Sequence, residues 1–179
     1  MTPNQRMLRL ALSLGRSRMF STRMLIMLPI LLLFIPGMAW GFADPNLQLP
    51  TEQIPETATE TMFLASIGIV FAGTMAAVLI AHDGISRDRM SGVLELRLSQ
   101  PMPRWRQGTV FVLGHWMSIA LPVTLLIIVS MMLVGYRSDM WISFSDAIVF
   151  IIAAALVLLW YTVFALLASS IAKEQGSAI

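Results

Sequence analysis

The sequence predicts an all-α, polytopic helical membrane protein: four transmembrane helices, an N-terminal interfacial helix and one short cytoplasmic helix. Three observations carry that prediction. The 179 residues are 57% hydrophobic and only 12% charged, about half the charge content of an average soluble domain. Mean hydropathy is +0.77, which belongs to integral membrane proteins. Charge-free runs occupy 24–43, 61–81, 107–136 and 147–172, and each reaches the roughly 20 helical residues that cross a hydrocarbon core of about 30 Å. Lipid cannot satisfy loose backbone groups, and the runs lack strand alternation, so helices are the expected spans.

Residues 1–23 carry five Arg and no acid. Arg6, Arg9, Ser13, Arg16 and Ser17 share one face at helical spacing, and Leu8, Ala11, Leu12 and Gly15 share another. A basic amphipathic stretch of this kind lies in the headgroup layer. The first span follows at 24–43. Gly41-Phe42-Ala43 has the small-x-small form of a cleavage site, but an apolar core of this length exceeds that of a signal peptide and predicts a retained span. The connection 44–60 has prolines at 45, 50 and 55 and four acids, Asp44, Glu52, Glu56 and Glu60, and reads as an extended, partly polyproline tether.

The second span is placed at 61–81. The polar segment 82–106 then brings five more Arg, and 137–146 brings one Arg and two Asp. Counts of 5, 0, 5 and 1 along the polar segments set both termini and the segment 82–106 on the cytoplasmic side. The third span, placed at 109–136 within its longer charge-free run, has length to spare for tilting or for starting below the membrane surface. The fourth runs over 147–172. Pro29, Pro36 and Pro122 are potential kink sites. Gly37-x-x-x-Gly41, Gly73-x-x-x-Ala77 and Ala165-x-x-x-Ser169 are small-residue faces of the type that lets helices approach closely.

Several chemistries are excluded by what the residues lack. Cysteine is absent, which removes disulfides, thiolate metal sites and a cysteine nucleophile. There is no Gly-x-x-x-x-Gly-Lys-[Ser/Thr] loop, and the only lysine is Lys173, so ATP hydrolysis within this chain is not expected. His82 and His115 are the only histidines and form no metal-binding spacing. His115, inside the third span, is expected to be neutral and hydrogen-bonded to a neighbouring helix. Asp83-Gly84-Ile85-Ser86-Arg87 lacks the paired carboxylates that metal-assisted phosphoryl transfer by CDP-alcohol phosphotransferases requires. Ser91-Gly92 has no base placed by the sequence to activate it. The nearly uncharged spans point to a path without buried ion pairs.

The segment 86–106 is the most informative. Val93, Leu94 and Leu98 crowd one side of a potential helix of two to three turns, which Glu95 and Arg97 leave. Gln100-Pro101-Met102-Pro103 must end it. Gly92-Val93-Leu94-Glu95 followed by Ser99-Gln100-Pro101-Met102-Pro103-Arg104 resembles the cytoplasmic coupling element of ABC permeases of the second exporter type, the ABC-2 type membrane proteins. The layout of interfacial helix, span, outer loop, span, coupling element, long span, short loop and span is similar over nearly the whole chain. The resemblance implies one transmembrane permease domain over 1–179, the N-terminal four spans of a six-span subunit. It also implies a subunit that is not itself an enzyme, in the plasma or inner membrane.

The partners it implies are an ABC ATPase subunit that binds the ATP, a second permease copy or homologue, and the lipid membrane, with no nucleic acid. Arg89, Gly92, Leu94, Glu95, Leu98, Ser99, Pro101 and Arg104 would be the ATPase-coupling residues. In that scheme Gly92 makes the tight turn, Glu95 is a docking charge and Pro101 is the break before the third span. A non-transporting scaffold assembled through its small-residue faces is the alternative reading, and a membrane-embedded enzyme a more distant one.

Overall fold

The computed structural model describes residues 3–44, 55–99 and 102–171, with only the backbone at 3, 97 and 98. Those residues form helices and contain no strand. In chain order the elements are α1 (Pro3–Met19), α2 (Thr22–Phe42), α3 (Ala58–Gly68), a π-helical turn (Ile69–Gly73), α4 (Thr74–Ala81), α5 (Gly84–Met90), α6 (Val93–Leu98), α7 (Arg104–Ser138) and α8 (Phe144–Ile171). Four stretches are long and apolar enough to span a membrane: Thr22–Phe42, Ala58–Met90, Arg104–Ser138 and Phe144–Ile171.

The spans lie where the charge-free runs put them, and the helices overrun those runs for local reasons. The second begins at Ala58 rather than 61, because the Thr57 hydroxyl caps it by accepting from the Glu60 amide at 3.2 Å. The Glu60 carboxylate in turn accepts from the Glu56 amide at 2.7 Å, a close variant of the reciprocal capping box. Glu60 is therefore first-turn helix, not tether. The fourth span begins at Phe144 rather than 147, with the Ser143 hydroxyl accepting from the Asp146 amide at 3.1 Å and Asp146 favouring the positive end of the helix. The third begins at Arg104, ahead of the placed 109, and runs for 35 residues, about 52 Å at the helical rise. Pro29, Pro36 and Pro122 lie within continuous helices. The tether residues 45–54 fall outside the described residues.

The chain divides into two compact units. The first comprises Met1–Leu25, Met75–Ala120 and Leu158–Ile179. Its core includes Ala11, Ala76, Ala77, Ile80, Ala81, Ile119, Leu158 and Leu166. Here α1 meets α7 closely. A Cβ on Gly15 would stand 3.1 Å from the Gly114 carbonyl oxygen, and one on Gly114 would stand 2.7 Å from Leu14. The buried positions of α1 are therefore Ala11 and Gly15, while Leu8 and Leu12, assigned to the same apolar face by spacing, are exposed.

The second unit comprises Ile26–Thr74 and Leu121–Val157. Met27, Leu31, Ile35 and Ala39 form the buried stripe of α2, meeting a core that includes Met62, Ala65, Ile127 and Val134. Gly68 lies directly against the Phe34 backbone carbonyl, leaving no room for a Cβ, and the Phe34 and Phe71 rings pack 5.2 Å apart. The π turn after Gly68 holds the Thr74 hydroxyl on the Val70 carbonyl, and such turns are typically single insertions within α-helix. Arg137 pairs with Asp44 and lies 4.3 Å over the Trp40 ring.

Candidate functional site

The site is built where α4 stops. His82 and Asp83 turn the chain, and α5 starts at Gly84. A helix end leaves carbonyls without intrahelical donors. At α4 the Leu79 carbonyl accepts from the Arg23 guanidinium at 3.3 Å, and His82 Nδ1 lies 2.9 Å from the same oxygen. The Asp83 carboxylate, fully buried, accepts two charge-assisted bonds from Arg23, at 2.6 and 2.7 Å. A forked guanidinium on a carboxylate is the strongest form of such a pair. It fastens the α4–α5 junction to the start of α2.

Because its carboxylate is committed to Arg23, Asp83 does not cap α5 with its side chain. That task falls to α8. The Ser169 hydroxyl oxygen accepts from the amides of Ile85 and Ser86, each at 3.0 Å. In the other direction, the Arg89 guanidinium donates to the Ser170 carbonyl at 2.7 Å. Each helix thus supplies a partner for the other's terminal groups. Ala81, Ala165 and Leu166 pack beside this joint, with Ile85 and Val112 against them. The small-residue pair Ala165 and Ser169 serves the contact with α5.

α5 also rests on α7. A Cβ on Gly84 would stand 2.7 Å from His115 Nε2. His115 is fully buried and its Nδ1 lies 2.8 Å from the Phe111 carbonyl, an acceptor, so Nδ1–H donates this bond. That bond lies within α7. Arg18, half-buried on α1, is held below the ordinary arginine pKa mainly by desolvation, and the carboxylates of Asp83 and Asp88 oppose that shift.

Beyond α5 the chain reverses at Gly92, whose φ of 73° is a left-handed conformation suited to glycine. This is the helix-terminating arrangement of a C′ glycine, and α6 follows at once. Glu95 and Leu96 are exposed, Leu96 to 70%, while Val93 and Leu94 are half-buried. The Ser99 amide closes the last turn on the Glu95 carbonyl at 2.9 Å. Of the residues singled out in the sequence, Gly92, Leu94, Glu95 and Ser99 lie together on this turn and helix. Arg89 is engaged by α8, and Arg104 opens α7. Pro101 and the Leu98 side chain fall outside the described residues.

In the sequence Arg23 stands only as one of five N-terminal arginines, Asp83 in an unsupported phosphotransferase motif and Ser169 in a small-residue face, so the Arg23–Asp83 pair was not foreseen. The physical reason is that both residues flank charge-free runs, so neither interrupts one. An acid placed directly at the end of a span, with an arginine at the start of another, was the available signal. No group of three or more His, Asp or Glu among the described residues is arranged to hold a metal ion.

No curated protein matches the chain in sequence. The family model described as ABC-2 family transporter protein matches residues 16–179, a range that takes in α2 to α8 and every residue of the joint just described. The chain belongs to the ABC-2 family of transporter proteins, as a multi-pass membrane permease component.

Proposed function

We propose that the chain is a permease subunit of an ATP-driven ABC exporter, acting as one transmembrane domain over residues 1–179. In this reading, α5 and α6 receive the push of a separate ABC ATPase subunit, which binds the ATP. The observation that carries the reading is the contrast along 83–96. Its tip exposes Glu95 and Leu96. Its root is tied to α2 through Asp83 and to α8 through Ser169. A load on the tip would reach two spans through short bonds, which is what a bistable transporter needs to convert nucleotide-driven closure into a shift between inward and outward states.

In this scheme Glu95 is the docking charge, Leu94 anchors α6 from beneath and Gly92 sets its direction. Arg89 serves as a strut to α8 rather than a docking group. Ser99, Pro101 and Arg104 lead the load into α7. The alternating arginine counts support cytoplasmic termini, and membership of the transporter family supports a plasma or inner membrane location. Gly41 meets nothing within 4 Å at its Cβ position, which supports a second permease copy approaching α2 at this small-residue face.

Two measurements test the reading. Cysteines at Gln53 and Ser91 report sidedness in a chain that has none of its own. Gln53→Cys should react with an impermeant reagent from outside the cell and Ser91→Cys should not, and labelling of Ser91→Cys in intact cells would reverse the topology and defeat the proposal. Co-purification of Glu95→Arg with its ABC ATPase subunit then tests docking. Unchanged capture and unchanged stimulated ATP turnover would make Glu95 a solvated residue only.

A further inference from the structure

We infer that the cavity beneath α6 holds one acyl chain of an anionic phospholipid, with its headgroup on Arg104. The cavity has a volume of about 310 Å³. Leu94 of α6, Gly108 and Phe111 of α7, and Val163 and Leu166 of α8 contribute to its walls, with Arg104 also lining it. The two other polar residues of the lining are already engaged. The Gln107 amide donates to the Met102 carbonyl at 3.2 Å, and the Ser170 carbonyl takes the Arg89 guanidinium. A water molecule inside would find few of the two to four partners it needs, so hydrocarbon is the matching occupant.

The mouth has the opposite character. Arg104 is exposed at the first turn of α7, and among the described residues no carboxylate lines the cavity. Trp105 beside it is 64% exposed, and Leu167 on the α8 wall is 54% exposed. An outward tryptophan next to arginine at the end of a span is the pattern of the membrane–water interface. A planar guanidinium there is suited to a phosphate ester. An apolar cavity with a cation at its lip selects a molecule with a tail and an anionic head, and the bilayer supplies one at this depth. The inference rests on the membrane embedding of the chain and not on the docking role of α6, so either can fail without the other.

The test is native mass spectrometry of the full chain in neutral detergent, offered dioleoyl phosphatidylglycerol, dioleoyl phosphatidylcholine or oleate. The intact chain should retain one phosphatidylglycerol, about tenfold in preference to phosphatidylcholine, a difference of about 1.4 kcal/mol. Arg104→Gln should abolish the preference while still retaining one lipid. Gly108→Leu should lose the lipid altogether. Its Cβ position has open space within 4 Å, and replacing glycine favours the helix. Val163→Phe fills the cavity from the opposite wall and guards against a folding failure of the first variant. Equal retention of the two phospholipids, preferential retention of oleate, or undiminished lipid in both filling variants would each overturn the inference.

Discussion

The two compact units treat their ion pairs differently. In the first, the Asp83 side chain is 0% exposed and receives both arms of Arg23, itself 38% exposed, so only the carboxylate is fully withdrawn from solvent. In the second, Arg137 and Asp44 keep 23% and 34% exposure, and the pair meets through one arm, with the remaining cation surface over Trp40. Removing one partner from a buried pair strands a charge, whereas a solvated pair is worth little. The first pair also joins two helix ends at a chain turn. The unit with the committed charge also carries α5 and α6, the segment that a partner would load, and a joint that carries load benefits from bonds that break together or not at all.

Arg23→Ala should produce the largest effect, lowering stability by about 3–5 kcal/mol because it strands the fully buried Asp83 carboxylate, whereas Asp44→Ala should cost under about 1 kcal/mol. Thermal unfolding of the two variants in one detergent measures the difference directly, and equal melting shifts would erase the distinction between the pairs.

Each unit also has a glycine at a crowded contact, and these differ in what they meet. At Gly68 the obstacle is the Phe34 backbone, while at Gly114 it is the Leu14 side chain. Gly68→Ala should cost about 1–3 kcal/mol through overpacking, and Gly114→Ala less, because a leucine can change rotamer. The order of the two melting temperatures is the measurement.

Ser169→Ala should cost about 1 kcal/mol, the usual loss for a missing helix cap, and its effect should be local. Hydrogen exchange should accelerate at the amides of Ile85 and Ser86, with the second unit unchanged. Smallest in stability is Glu95→Arg, within about 0.5 kcal/mol as for other exposed positions. Its consequence should appear in partner binding, where reversing a docking charge acts on association. A large fall in melting temperature for this variant would place Glu95 in the structural framework instead.

The long elements were legible in the sequence because lipid imposes one simple rule, an uncharged run of sufficient length. The turn at Gly92 and the short helix after it were legible for a related reason, since a glycine, an apolar patch and a proline pair leave few alternatives. Helix starts at Thr57 and Ser143 were missed because capping is a one-residue signal beside a much louder hydropathy signal. The joint at Asp83 was harder to see. Its partners Arg23 and Ser169 lie 60 and 86 positions away in sequence, and helical spacing carries no information across such separations. α5 was read as part of a polar connection for the same reason: its capping oxygen is supplied by another helix.

That borrowed cap has a consequence for synthesis. The amides of Ile85 and Ser86 bond a hydroxyl that lies 84 and 83 residues further along the chain. At a ribosomal rate of about 5–20 residues per second, that oxygen is made roughly 4–17 seconds after the amides it will serve. Until then the first turn of α5 must borrow water, and Arg89 has no Ser170 carbonyl to hold. Maturation of this segment therefore waits on α8, so a ribosome stalled before residue 169 would present α5 with its first turn still uncapped.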